Sequence, residues 1–261
     1  MEITDDDILH VIEDSFFLGQ ETPGMLKYLD FDGVRGKYSP VLSSPFSNLM
    51  VKTMLTPANA DSVIQTVRDQ FAAWNKAFGW MVSASTTPAD MARRLQAAGF
   101  AKAFELAGMS LNVNHPITTN PAVWVRRAAA SDAPLISDLF HRAYPVPKSV
   151  SDNMVSNWQP TKDMKYLAYV EGVDEPVAVA SQTYFPDKPI TLLGGAATLP
   201  EYRGWGIYTS LVAHRLKSAG DDGIQTAVIR ATRGTSAPIC QKLGFTEQCS
   251  MDIYVWTPPE A

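Results

Sequence analysis

Cysteine is almost missing from this chain: Cys240 and Cys249 are the only two among 261 residues. So few, so placed, exclude a disulfide framework and a closed zinc site, and no metal is expected. Long apolar runs are missing too. None approaches the roughly 20 residues that span a bilayer, so no membrane partner is expected. Basic clusters are lacking: 22 Lys and Arg are scattered among 27 Asp and Glu, for a formal charge of -5. That balance argues against a nucleic-acid partner. The opening Met1-Glu2-Ile3-Thr4-Asp5-Asp6-Asp7 has neither the basic start nor the apolar stretch of a secretory signal, so the expected compartment is the cytoplasm. No G-x-x-x-x-G-K-[ST] stretch occurs, and no third loop glycine with βαβ repetition, which removes the P-loop and dinucleotide-binding classes.

What is present is a core-forming chain, 46% hydrophobic and 19% charged, long enough for one large domain or two. Thr4 and three aspartates begin a helix that runs to Gln20, with Ile8, Leu9, Ile12 and Phe16 at helical spacing. Pro23, Gly24, Gly33, Gly36, Pro40 and Pro45 then predict loops. A strand is expected from Asn48 to Leu55 and a helix from Ala60 to Phe78, on the spacing of Val63, Ile64, Val67, Phe71 and Trp74. Trp80-Met81-Val82 begins another strand, Pro88 opens a helix through Ala98, and a strand covers Ala107 to Val113. The polar stretch Asn114 to Asn120 reads as a linker, dividing residues 1–114 from 121–261.

Beyond it, strands are expected at Val123–Arg127, Tyr166–Val170, Val177–Tyr184 and Ile224–Ala231, with helices at Ser131–Ala143, Ser151–Trp158 and Thr235–Leu243. Strands with interposed helices and a late hairpin predict a mixed α/β fold. The halves echo one another. Ala92 to Phe100 and Pro238 to Phe245 each read as a short helix, a glycine stop and then Phe. Each follows an apolar strand ending in Ser or Thr, which suggests duplication.

The chain is organised around Leu192 to Leu216: an apolar strand, a turn holding Gly204 and Gly206, then a helix. Glycines at a helix start leave backbone amides bare, and the positive end of the helix dipole favours a phosphate there, with Arg203 adding a cation. Pro200, Arg203, Gly204, Gly206, Ile207 and the Leu211-Val212 pair resemble the pyrophosphate loop of the GNAT N-acetyltransferase superfamily, Q/R-x-x-G-x-G/A. Tyr208 departs from it, standing where the family more often has Gly or Ala, but leaves its amide available.

The resemblance implies two GNAT-like mixed-sheet domains with helices on both faces. The second would hold acetyl-CoA between splayed parallel strands, Thr191–Leu199 and Ile224–Thr232, and the first would be a divergent copy without the loop. Ala196, Ala197 and Thr198 would meet the pantetheine and thioester, with Gly194 and Gly195 forming a bulge. The amides of Arg203, Gly204, Trp205, Gly206, Ile207, Tyr208 and Thr209 would hold the pyrophosphate. An amide at Thr198 aimed at the thioester oxygen would stabilise the oxyanion. Cys240 occupies the place of the family's Tyr, as acid to the departing thiolate or as a small core residue. Arg233 replaces the family's Asn, and Thr235 and Ser236 either cap the helix or bond the pantetheine. His141, Tyr144, Glu201 and Tyr184 are considered for the acceptor side. The implied reaction is acetyl transfer to the primary amine of a small molecule by direct attack. The alternative is a catalytically silent acyl-CoA-binding or partner-binding protein. A second copy of the chain is kept open as a partner.

Overall fold

A computed structural model describes residues 3–18, 21, 24–144, 147–156 and 158–259. Its elements begin with helix α1 (Asp5–Asp14), strands β1 (Lys27–Phe31), β2 (Val34–Tyr38) and β3 (Leu49–Thr53), and helix α2 (Ala60–Ala73). Strand β4 (Phe78–Val82), helix α3 (Met91–Ala97) and strands β5 (Ala101–Asn112) and β6 (Val123–Arg127) follow. Next come helices α4 (Ala133–Ala143) and α5 (Lys148–Ser156) and strands β7 (Met164–Val170), β8 (Ala178–Tyr184) and β9 (Ile190–Thr198). Helix α6 (Ile207–Asp221), strand β10 (Thr226–Thr232), helix α7 (Ser236–Lys242) and strand β11 (Thr246–Trp256) complete the order. No helix among the described residues is long and apolar enough to cross a membrane.

The chain forms two compact units: Met1–Gly108 with Ala231–Ile239 and Glu247–Ala261, and Met109–Arg230 with Cys240–Thr246. This differs from the division read from the sequence. The segment Asn114–Asn120 lies inside the second unit, where the Asn120 side-chain amide donates to Trp205 O at 2.9 Å. The last strand, β11, lies in the first unit, antiparallel to β4.

In the first unit the capping box at Thr4 and Asp7 starts α1 as its sequence requires. The helix stops at Asp14 and a 3-10 turn follows, shorter than the periodicity predicts; Gln20 and Pro23 lie outside the described residues. Strands β1 and β2 correct the expectation of loops there. They form a hairpin across Asp32-Gly33, with Gly33 at φ +77°. Asp-Gly between alternating residues is the signal that could have found it. Helix α2 buries Ala60, Ile64, Val67 and Phe71 on one face, and Phe71 stacks on Phe78 at 4.1 Å.

The predicted echo is present in the backbone. Helix α3 ends with Gly99 N–H on Gln96 O and Phe100 N–H on Leu95 O; α7 ends with Gly244 N–H on Gln241 O and Phe245 N–H on Cys240 O. Both glycines have positive φ, +85° and +96°, so both ends are the same Schellman cap. Leu95 and Cys240 occupy equivalent places.

In the second unit β6, β7, β8 and β9 pair antiparallel in order, and β10 runs parallel to β9. The core joins Ile136, Leu139 and Phe140 of α4, and Ile207 and Leu211 of α6, to the strands. The entry to α4 is fixed by Asp132, whose carboxylate accepts from Ala129 N–H and from both terminal nitrogens of Arg126, at 2.7, 2.7 and 2.9 Å. The Arg126 guanidinium holds the Asp132 carboxyl below the usual carboxylate range. A native value below the unfolded one stabilises the fold above the unfolded pKa, and that stability is lost as pH falls through the native value. Asp132→Asn should therefore lower stability by about 1–2 kcal/mol at neutral pH. In denaturant melts the gap between the two proteins should close in acid, once the wild-type carboxyl is protonated.

Candidate functional site

The site begins where two parallel strands part. β10 pairs with β9 only from Thr226–Ile190 to Val228–Leu192, although β9 continues to Thr198 and β10 to Thr232. The bulge expected at Gly194-Gly195 is found. Between Ala197 and Gly194, strand β9 carries one residue more than β8, with Gly195 at φ +55°. Beyond the bulge, Leu199 N–H donates to Val177 O of the segment leading into β8. Strand alternation then turns the amides of Ala196 and Thr198 to the other side, where β10 has diverged, and those of Ala197 toward β8. Ala196 O accepts from the Tyr144 hydroxyl at 2.5 Å, and Thr198 O accepts from Arg203 Nε at 3.3 Å.

The loop from Arg203 to Thr209 follows. Gly204 and Gly206 sit at φ +82° and +75°, conformations that strain a side chain. Gly206 is the N-cap of α6 and offers no side chain to its amides, and no acid stands in the first turn. Among the described residues, the N–H groups from Gly204 to Thr209 find no acceptor, whereas Ser210 N–H already bonds Gly206 O. This row of unpaired donors lies at the positive end of a 15-residue helix, the kind of place where backbone amides and the helix dipole together favour a negative group.

The other predicted residues are placed as follows. Arg203 turns its guanidinium back onto Thr198 O and Ala143 O, so it braces the loop rather than standing free at its mouth. Trp205 is 51% exposed, and its ring makes an edge contact to Tyr202 at 6.2 Å. Ser236 lies in the first unit and accepts from Thr232 N–H at 2.8 Å, which is a cap at the strand end. Arg233 pairs with Glu105 and Glu247. Tyr184 donates to Asp222 at 2.6 Å, at the end of α6. His141 is exposed on the last turn of α4, and Glu201 lies 3.7 Å from Arg142. Cys240 is fully buried, and burial pushes its thiol up. Its Sγ is 3.6 Å from the Tyr208 hydroxyl, which burial also holds well above the usual phenol value.

One residue of the candidate site escaped the sequence reading. Arg215 lies on the apolar face of α6 with Leu211, Leu216 and Ala219, and is 1% exposed. It donates to Leu211 O, Ser181 O and Gly194 O, at 3.0, 2.8 and 3.5 Å, and its Nη2 has no partner among the described residues. The signal was an arginine at a core position of an amphipathic helix.

The first unit carries its own parallel pair, β3 and β4, joined only at Leu49–Gly79 and Met50–Trp80. There the gap is closed. Thr87 bonds Thr53 O and receives Leu55 N–H, and the Trp80 indole donates to Thr53 Oγ1 at 2.9 Å. The start of α2 is closed as well, because Thr56 and Asn59 bond one another and Asp61 sits in the first turn.

A parallel pair that parts after three rungs, followed by an amide-lined turn into a helix, is the arrangement of the GNAT N-acetyltransferases, and the fold is theirs. Solved structures similar over most of the chain include a GCN5-related N-acetyltransferase from Kribbella flavida, at 18% identity and TM-score 0.72, covering 97% of this chain and 96% of that one. A tandem GNAT protein from the clavulanic acid biosynthesis pathway matches at 12% and 0.66, covering 96% and 88%. A GCN5-related N-acetyltransferase from Sphaerobacter thermophilus matches at 14% and 0.64, covering 89% and 84%. At these identities the likeness defines the fold. No family model matches the chain, and no curated protein matches it by sequence.

Proposed function

We propose that the second unit binds acetyl-CoA and transfers its acetyl group to the primary amine of a small molecule. The observation that carries this is the row of unpaired amides from Gly204 to Thr209, set where β9 runs on after β10 has left it. Those amides suit the pyrophosphate. The outward amides of Ala196 and Thr198 suit a pantetheine arm lying along β9 as an added strand. When bound, acetyl-CoA supplies an acyl thioester. The chain's part is to hold it extended, to offer the Thr198 N–H to the thioester oxygen and to let the amine approach. Cys240, beside Tyr208, belongs to the sulfur end of the same site. The first unit acts as scaffold, because its equivalent opening is closed by Trp80 and Thr87.

The complete burial of Cys240 favours a second reading, a silent acyl-CoA binder. Thiol release from acetyl-CoA, followed spectrophotometrically across an amine panel, separates the two. Turnover with any amine is the expected result. Binding without turnover across the panel would replace the enzyme with the binder.

A further inference from the structure

Tyr208 and Arg215 point to a device at the sulfur end that the loop pattern does not include. They lie seven residues apart on one face of α6, two turns of helix, and a helical side chain leans toward the N-terminus, so the arginine reaches back toward the tyrosine. Burial pushes both the Tyr208 phenol and the Cys240 thiol up, and the Arg215 charge opposes that push at each. The hydrogen-bonding capacity at this corner is under-used. Among the described residues, the hydrogen bond found for the phenol is the long contact to the Cys240 thiol, a weak partner for a hydroxyl that usually finds oxygen or nitrogen. The guanidinium is buried, and its bonds go to backbone carbonyls, with Nη2 unused. Among the described residues no carboxylate pairs with it; a buried cation so placed is costly, and such groups mark places where negative charge arrives.

We propose that Tyr208 donates a hydrogen bond to the carrier's sulfur as the acyl–sulfur bond breaks, with Arg215 as the positioning residue that holds the corner electropositive. The proposal rests on the acetyl-transfer reading. In the step, the amine nitrogen bonds the acyl carbon and the carbon–sulfur bond breaks, leaving its electron pair on sulfur. The proton lost by the amine reaches the sulfur through solvent. Tyr208 keeps its own proton throughout. A phenol that stays protonated across the working range is suited to that, since it donates at every turnover and needs no recharging. Arg215 has a second, mechanical part. Its Nη1 bridges Ser181 O of β8 and Gly194 O of β9, so it braces the bulge that turns Ala196 outward.

The test reads the bound thiol directly. Free CoA is bound to the wild type, to Tyr208→Phe and to Arg215→Met, and thiolate absorbance is followed against pH. The desulfo-CoA complex serves as blank, to cancel Cys240, Cys249 and the tyrosines. The charged and titratable groups that act on Tyr208 and Arg215 of α6 are each other, Cys240 of α7, Tyr144 after α4 (on Tyr208) and Tyr166 of β7 (on Arg215). The expected result is that the bound thiol ionises at least about one pH unit below free CoA in the wild type, and returns toward the free value in both variants. With an accepted amine, Tyr208→Phe should lose about a hundredfold in kcat while KM for acetyl-CoA stays within about threefold. If Arg215→Met fails to fold, Tyr208→Phe alone decides. A wild-type bound thiol that titrates like free CoA, or a Phe variant that keeps either the lowered thiol or the full kcat, overturns the proposal. Failure of CoA to bind the wild type is a separate result, and removes the acetyl-CoA reading on which it rests.

Discussion

Gly206→Glu should weaken acetyl-CoA binding by at least about a hundredfold, which is about 3 kcal/mol. Three effects act together. Gly206 sits at φ +75°, where a side chain is strained by roughly 1–2 kcal/mol. A Cβ there meets Asn120 only at ordinary van der Waals distance, 3.6 Å, so the second effect is the reach of the longer glutamate side chain into the turn that Asn120 ties at the Trp205 carbonyl. The new carboxylate would also compete for the amides from Gly204 to Thr209, which the diphosphate needs unpaired. Titration calorimetry with acetyl-CoA measures the loss, and circular dichroism checks the fold. Gly223→Ala is the matched control. Its φ of +81° imposes the same backbone strain, but nothing lies within 4 Å of the added Cβ and the site is at the far end of α6. It should lose about 1 kcal/mol of stability and no affinity. Equal affinity in Gly206→Glu and wild type would place the carrier elsewhere.

Trp80→Ala should cost about 3–5 kcal/mol of stability in denaturant melts. Trp80 is fully buried and meets Phe78 and Phe100, at 6.5 and 6.1 Å between ring centres. Its removal leaves a cavity in the aromatic core and takes the donor from Thr53 Oγ1 in a buried place. A loss under about 1 kcal/mol would mean that the core collapses around the gap. The variant also bears on why the first unit is taken as scaffold. Even with the indole gone, the Thr56–Asn59 turn and Asp61 still stopper α2, so calorimetry should find no additional acetyl-CoA bound per chain. A second binding event would contradict that role.

Much of the site was legible in the residues because its signals are local. Gly204, Gly206 and the apolar stretches on either side specify a strand, a positive-φ turn and a helix start without reference to the remaining chain. The paired Gly-Phe caps after α3 and α7 were legible for the same reason, each closing within six residues. The hairpin of β1 and β2 was overlooked because the scattered glycines and prolines around Asp32-Gly33 outweighed a short alternation.

What the sequence by itself determined is therefore the mixed α/β character, the positive-φ glycine turn into α6 and the internal echo. All three rest on backbone preference and periodicity over a few residues. The tertiary structure alone decided that β11 pairs with β4, that Thr87 and Trp80 close the gap between β3 and β4, and that Tyr208 meets Cys240 beside Arg215. Each of these joins residues separated in the chain by 7 to more than 150 positions. Pairing at such distances is set by which polar groups and apolar faces remain unsatisfied once the local elements have formed.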